Sequence, residues 1–123
     1  MISVVCSTKT KSPEFESHVK NSCGLKNIDF LYYENKGQYS LTEIYNKGLK
    51  ESKYNIVTFI HDDLDFSKCK NWGRVVVNNF QYNPTYGILG VAGTMRLNDN
   101  GTWWSEKYLT HGVVWHQNKG ETY

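Results

Sequence analysis

Three aspartates stand close together after an apolar run in the middle of the chain. Asp62, Asp63 and Asp65 follow residues 56–60, and His61 lies between the run and the first of them. Carboxylates at this spacing raise each other's pKa unless a positive group lies among them. Mg²⁺ and Mn²⁺ suit such a place, because they bind one or two carboxylates and take phosphate oxygens as further ligands. The spacing therefore predicts a divalent-cation site at Asp63 and Asp65; a solvated acidic turn is the alternative.

A strand must position the acidic cluster, and the hydrophobic pattern predicts four strands. Nearly continuous apolar runs predict buried strands at residues 2–6, 28–33, 56–60 and 86–91. Helix signals lie between these runs: Ser12 and Pro13 begin a helix that ends near Asn21, and another helical stretch covers residues 72–80. The alternation predicts a three-layer α/β/α fold with a mainly parallel central sheet.

The helix between the second and third strands has the clearest local signal. Ser40 and Glu43 form a capping box, in which each side chain satisfies a backbone donor of the other residue. The apolar residues at helical spacing are Leu41, Ile44, Tyr45 and Leu49. Gly48 costs this helix ~1 kcal/mol relative to alanine. Close packing against a strand or a ligand would explain the glycine.

The loops that follow parallel strands meet at one edge of the sheet, and ligands bind there. We therefore expect one group of residues to line this edge. Its members are Ser7, Thr8, Glu34, Asn35, Asp62, Asp63, Asp65 and Gly93.

Composition restricts the class of protein. The chain has 123 residues, enough for one domain, and its net charge of +2 argues against a nucleic-acid or membrane-surface protein. No apolar run approaches the ~20 residues of a membrane helix. Cys6, Cys23 and Cys69 are odd in number and widely spaced, so they predict neither disulfides nor a zinc site. We expect a cytoplasmic protein that binds no nucleic acid.

Several short motifs together resemble the nucleotide-binding half of GT-A glycosyltransferases, in particular the family-2-like inverting group of bacterial polysaccharide synthesis. The motifs are Asn46-Lys47-Gly48, the stretch Ile-Val-Thr-Phe-Ile-His-Asp-Asp-Leu-Asp at 56–65, Gly90-Val91-Ala92-Gly93-Thr94, Trp103-Trp104 and Gly112-Val113-Val114. They span nearly the whole chain. The His before the acids and the shifted position of the cluster depart from the usual family pattern.

The resemblance implies a nucleotide-sugar donor, with a uridine diphosphate sugar favoured, and a saccharide or lipid-linked acceptor. Ser7, Thr8 and Glu34 match positions that hold the base and the ribose, and Asn35 follows them at the same edge. Such enzymes work in the cytoplasm or at the inner face of the membrane.

The resemblance also implies roles for the charged residues. Asp62 or Asp63 matches the residue near the ribose, and Asp63 and Asp65 match the pair that binds Mn²⁺ or Mg²⁺ on the diphosphate. Lys47 would add positive charge near the diphosphate; a solvated helical lysine is the interpretation that we favour for it.

Inverting transfer needs a general base that deprotonates the acceptor hydroxyl. The resemblance places this carboxylate after the strand expected at 112–115, and the chain ends at Tyr123 before such a segment. We therefore expect one GT-A-like domain over residues 1–123, incomplete at its C-terminus. Residues 1–97 would form the nucleotide-binding core and residues 98–123 the start of the acceptor side.

The end of the chain is rich in tryptophan. Trp103 and Trp104 form either a platform for sugar rings or, as we favour, core or covered surface; left uncovered, this surface would promote a homodimer. His111 or His116 is a candidate third metal ligand, and their spacing on a strand allows only one of them to serve.

Two other functions fit parts of the pattern. A non-catalytic binding or assembly module would have the same fold without the base. A phosphatase of the haloacid-dehalogenase type would use Asp63 as nucleophile and Asp65 as acid and base, because Asp63-Leu64-Asp65-Phe66-Ser67 resembles that family's loop. That loop normally opens the domain, whereas two strands precede it here.

Overall fold

The structure is a computed structural model that describes residues 1–102, 108 and 110–112. The chain divides into two compact units, Met1–Thr85 and Tyr86–Tyr123. The elements of the first unit are β1 (Ile2–Thr8), α1 (Pro13–Ser22), β2 (Ile28–Glu34), α2 (Leu41–Glu51), β3 (Val57–Ile60) and α3 (Trp72–Tyr82).

The three strands form a parallel sheet in the order β2-β1-β3. Thr8 at the end of β1 pairs with Glu34 at the end of β2, and Cys6 of β1 pairs with Ile60 at the end of β3. All three carboxyl ends therefore lie at the same edge of the sheet. The predicted α/β fold with a parallel sheet is confirmed.

The side chains of β1 alternate between two helical layers. Val4 and Cys6 belong to a buried cluster with Val19 of α1 and Trp72 of α3. Val5 points to the opposite face and packs against Gly48 of α2. Crossover connections between parallel strands have the same handedness. The first connection here leads to one side of β1 and the second to the other side. Their helices therefore lie on opposite faces of the sheet. The result is the three-layer arrangement that the strand and helix alternation predicts.

The helix ends use the signals that the sequence contains. The Ser12 hydroxyl accepts a hydrogen bond from the Phe15 N–H at 3.1 Å, directly before Pro13. Gly24 has φ 75°, the left-handed conformation that ends many helices. Ser40 and Glu43 form the predicted capping box at the start of α2.

A hydrogen-bond network around the buried Ser3 holds the amino end of β3 in place. The fully buried Ser3 hydroxyl donates to the Asp29 carboxylate at 3.0 Å and accepts from the Tyr54 N–H at 3.1 Å. The same carboxylate accepts from the Lys53 N–H at 3.0 Å. The connection from α2 to β3 is therefore fixed before the strand begins, and the loop after β3 starts from a defined place.

The second unit contains two short antiparallel strands, β4 (Gly93–Thr94) and β5 (Thr110–His111). The prediction of a strand at residues 86–91 is wrong. Ile88 is 91% exposed and Val91 is 98% exposed, so these apolar residues are not covered as a buried strand requires. An apolar run becomes a central strand only where neighbouring strands and a covering layer meet it.

Gly112 is the first residue of the strand expected at 112–115. It has φ 94° and lies in a bend directly after β5. The rest of that stretch lies outside the described residues. Within the described ranges, no helix has the length and apolar character needed to cross a membrane.

Replacing Gly48 with alanine tests how closely α2 approaches β1. A Cβ at this position would lie 2.8 Å from Val5 Cγ2 and closer still to Cγ1. We expect Gly48→Ala to lower the free energy of unfolding by ~1–3 kcal/mol through overpacking. Helix propensity alone predicts a gain of ~1 kcal/mol.

Chemical denaturation of Gly48→Ala measures this difference. Asn46→Ala, an exposed position of the same helix, is the control and should change stability by less than ~0.5 kcal/mol. A Gly48→Ala variant as stable as the wild type would show that Val5 does not confine this position.

Candidate functional site

The carboxyl edge of the sheet gathers most of the residues expected there. Thr8 is buried, Ser7 and Asn35 are half-buried, and Glu34 and the acidic residues after β3 are exposed. The chain adds β2 on one side of β1 and β3 on the other, so the topological switch point lies between β1 and β3. Open α/β sheets bind their ligands in the crevice at such a point. Gly93 belongs to the second unit, in β4.

The loop after β1 is held by its own hydrogen bonds. The Thr8 hydroxyl donates to the Thr10 carbonyl at 3.0 Å, and the Thr8 carbonyl accepts from the Asn35 N–H at 2.7 Å. The same loop carries two lysines, Lys9 and Lys11, that belong to none of the motifs in the sequence. The low net charge of the whole chain hides them, whereas their position directly after a buried strand could have revealed them.

An open cleft of about 330 Å³ lies beside the end of β2 and the first turns of α2. Glu34 and Lys47, two of the predicted residues, line it, and Ile44 gives it an apolar wall. The remaining lining residues are Tyr33, Tyr39 and Glu43. A small apolar wall, two aromatic rings and a few charged groups are the composition of a ligand cleft.

Asn35 shapes the loop beside this cleft. Its side-chain oxygen accepts from the N–H groups of Gly37 at 3.3 Å and Tyr39 at 3.2 Å, and its amide nitrogen donates to the Tyr39 carbonyl at 2.8 Å. The Asn35 amide is thus engaged within its own loop. The bonds hold Tyr39, 61% exposed, at the cleft. No pattern in the sequence indicates Tyr39, because only the folded loop shows which ring lies at the cleft.

The charges of the cleft are partly paired. The Lys36 ammonium lies 3.1 Å from the Glu34 carboxylate. This hydrogen bond, together with one from the Lys11 backbone, holds the pKa of Glu34 below its usual value. The Lys47 ammonium lies 5.0 Å from the centre of the Tyr33 ring, a cation–π contact that keeps it at the cleft.

The acidic residues after β3 have two different environments. The pKa of the Cys6 thiol is raised to about 12, chiefly by burial and further by the nearby carboxylates of Asp62 and Asp63. Burial also raises the pKa of Tyr45, with Cys6 and Asp62 as further causes. Asp62 and Asp63 follow Ile60, the last residue of β3, and therefore lie near the strand ends. The loop also carries Cys69, which is exposed, whereas Cys6 is buried.

Asp65 is turned into its own loop. Its carboxylate accepts hydrogen bonds from the Ser67 N–H and hydroxyl, each at 2.8 Å, and these bonds hold its pKa below the usual value. The His18 Nε2 atom of α1 lies 3.4 Å from the same carboxylate. The predicted pair Asp63 and Asp65 therefore shares one loop, with Asp65 held by Ser67.

The described part of the chain contains no group of three or more His, Cys, Asp or Glu side chains positioned to hold a metal. Mg²⁺ in proteins takes one or two carboxylates together with phosphate oxygens, so the carboxylates of this loop would hold such an ion only together with a phosphorylated ligand. His61 and His111 are exposed. The predictions for Trp103, Trp104 and His116 lie outside the described residues.

These features define a class of protein. The sheet is parallel and has helices on both faces, and its carboxyl edge carries the cleft and the acidic loop, residues 61–71. These are features of α/β domains that bind ligands at a topological switch point.

The family follows from comparison with known proteins. Residues 25–123 match the family described as "Glycosyltransferase like family", and the chain belongs to this family. The matched range includes the cleft and the acidic loop. The resemblance to family-2-like glycosyltransferases is confirmed, and this result favours the glycosyltransferase hypothesis over the phosphatase hypothesis. Neither the curated proteins nor the solved structures contain a significant match.

Substitution of Ser67 tests the environment of Asp65. The Ser67 hydroxyl bond stabilises the ionised carboxylate, so Ser67→Ala should raise the pKa of Asp65 toward its usual value. A lowered pKa contributes stability at neutral pH that is lost as the pH falls through the folded-state pKa. As the pH falls from neutral to acid, the free energy of unfolding should therefore decrease less in the variant than in the wild type.

Carboxyl-detected NMR titration measures the Asp65 pKa directly. Ser17→Ala on the exposed side of α1 is the control and should leave it unchanged. An unchanged value in Ser67→Ala would show that the hydroxyl bond does not act on this carboxylate.

Proposed function

We propose that the chain is a glycosyltransferase domain that binds a nucleotide-diphosphate sugar across the carboxyl edge of its sheet. One observation supports this most: the aromatic cleft and the acidic loop lie on opposite sides of β1 at the same edge. Neighbouring strands are ~4.8 Å apart, so the ends of β2 and β3 are separated by about 10 Å. A nucleoside diphosphate can bridge this distance.

The cleft provides chemistry for the nucleoside. The exposed Tyr39 ring offers a face on which a base can stack, and Glu34 has carboxylate oxygens that accept hydrogen bonds from ribose hydroxyls. Ser7 and Thr8 lie between the cleft and the acidic loop, at the end of the central strand. We propose a uridine nucleotide, as the resemblance implies.

The acidic loop provides chemistry for the diphosphate. Asp63 would hold Mn²⁺ or Mg²⁺ with a second carboxylate of the same loop: Asp65, if it exchanges its bonds to Ser67, or Asp62 beside the strand ends. Such an ion neutralises the diphosphate and stabilises the departing nucleotide. Lys9 and Lys11 add positive charge on the adjacent loop.

Transfer itself needs an acceptor and, with inversion, a carboxylate that deprotonates the acceptor hydroxyl. Among the described residues we assign no carboxylate to this role. We propose a saccharide or lipid-linked acceptor, in keeping with polysaccharide synthesis. A chain that binds the donor without transferring the sugar would be the binding module that the sequence also suggests.

Titration calorimetry with UDP in the presence and absence of Mn²⁺ tests the proposed function. We expect binding that strengthens with Mn²⁺, and Asp63→Asn should weaken the Mn²⁺-dependent binding at least about tenfold, as losses at metal sites do. The same substitution should leave metal-free UDP binding unchanged.

Asp99→Asn, an exposed acid of the second unit, is the matched control and should bind as the wild type does. Asp62→Asn and Asp65→Asn then identify the second ligand, since only its loss should reproduce the Asp63→Asn effect. Binding that is indifferent to Mn²⁺ in the wild type would contradict the metal site, and no UDP binding at all would overturn the proposal.

Tyr39 provides a separate test of the cleft. Base stacking on an aromatic ring contributes ~1–3 kcal/mol, so Tyr39→Ala should weaken UDP binding at least about fivefold, with or without Mn²⁺. Tyr82→Ala removes an equally large ring that is 81% exposed on α3 and should have no effect. Equal affinities of the two variants would place the base elsewhere.

A further inference from the structure

The loop that carries the acidic residues is attached to α1 through its main chain. It leaves the end of β3, passes along α1 and reaches the start of α3. The Phe66 N–H donates to His18 Nε2 at 2.8 Å, and the Asn71 N–H donates to the Ser22 carbonyl at 2.7 Å. The bond of Phe66 to His18 lies directly after Asp65, whereas the bond of Asn71 to Ser22 lies at the end of the loop. The His18 bond is therefore the one that restrains the segment with the aspartates.

The imidazole of His18 is placed to make this bond persistent. Its ring is half-buried and lies 6.0 Å from the Phe66 ring, which stacks on Trp72 at 4.9 Å. In this bond Nε2 is the acceptor, a role that an imidazole nitrogen fills only when it carries no proton. Without an acceptor, the half-buried Phe66 N–H would lose its hydrogen-bond partner, which is costly.

Residue type and position distinguish His18 from the other side chains of α1. It is the side chain of this helix that accepts a hydrogen bond from the loop main chain, and its sequence separation from Phe66 is 48 residues. It also lies against the Asp65 carboxylate, 3.4 Å from Oδ1. Nε2 thus lies beside both groups, and its hydrogen bond is to the main chain, since an unprotonated nitrogen does not donate to the carboxylate.

We propose that His18 is a positioning residue for the acidic loop: by accepting the Phe66 N–H, it holds the loop where Asp63 and its partner carboxylate bind the cation of the nucleotide ligand. This inference rests on the proposed function. His18 itself contacts neither the cation nor the nucleotide in this arrangement. Its effect should therefore appear in metal-dependent binding and not in the binding of the nucleoside.

Three substitutions of His18 separate this role from simple packing. Glutamine places a side-chain oxygen close to the position of Nε2 and can accept the Phe66 N–H, whereas asparagine is too short and leucine has no acceptor. We expect His18→Leu and His18→Asn to weaken Mn²⁺-dependent UDP binding about three- to tenfold, the effect of one lost hydrogen bond. His18→Gln should restore binding to within about twofold of the wild type.

Metal-free UDP binding, measured in the same variants, should not change. Ser17→Leu, an exposed position next to His18 on α1, is the matched control and should bind Mn²⁺ and UDP as the wild type does. If His18→Leu does not fold, the polar His18→Asn and His18→Gln pair carries the comparison alone. Equal affinities of that pair would overturn the positioning role.

Hydrogen exchange of the Phe66 amide gives a readout that needs no ligand. Exchange should be faster in His18→Asn than in the wild type, and His18→Gln should restore the protection. An unchanged rate in His18→Asn would overturn the inference even if the wild type binds Mn²⁺ and UDP. A wild type that shows this protection but no Mn²⁺-dependent UDP binding would overturn the proposed function, and with it the cation-positioning role.

Discussion

The central strand β1 is hydrogen-bonded along both edges and covered on both faces, and the rest of the first unit depends on this arrangement. Val4 and Val5 are fully buried, one toward each helical layer. Because each connection to a neighbouring strand passes through a helix, both neighbours run parallel to β1. The cleft after β2 and the acidic loop after β3 then share an edge, although they are far apart in the sequence.

Much of this arrangement could be predicted, because its signals are local. The capping box of Ser40 and Glu43, Pro13 after Ser12 and the left-handed Gly24 each act within a few residues. The apolar runs of β1, β2 and β3 are also legible as strands, although only β1 is buried along nearly its whole length and β2 and β3 are mostly half-buried. Gly48 was predicted to pack closely, and Val5 is its neighbour.

The remainder depends on contacts that composition and periodicity do not show. Nothing near Asp65 in the sequence indicates that His18 lies beside it, whereas the bond to the Ser67 N–H is a local one of a kind that Asp commonly forms. Asn35 stands at the expected edge, yet its amide closes its own loop and the ring of Tyr39 faces the cleft instead. The apolar run at 86–91 has strand composition, but it is exposed, because composition does not supply neighbouring strands.

The thiols of the chain differ in accessibility, and this has a practical consequence. Cys69 is exposed on the acidic loop, whereas Cys6 and Cys23 are buried, with raised pKa values that keep them protonated. A maleimide dye should therefore attach at Cys69 alone in the folded chain, without any engineered cysteine. The fluorescence of that dye would report the motion of this segment in real time, in the native sequence.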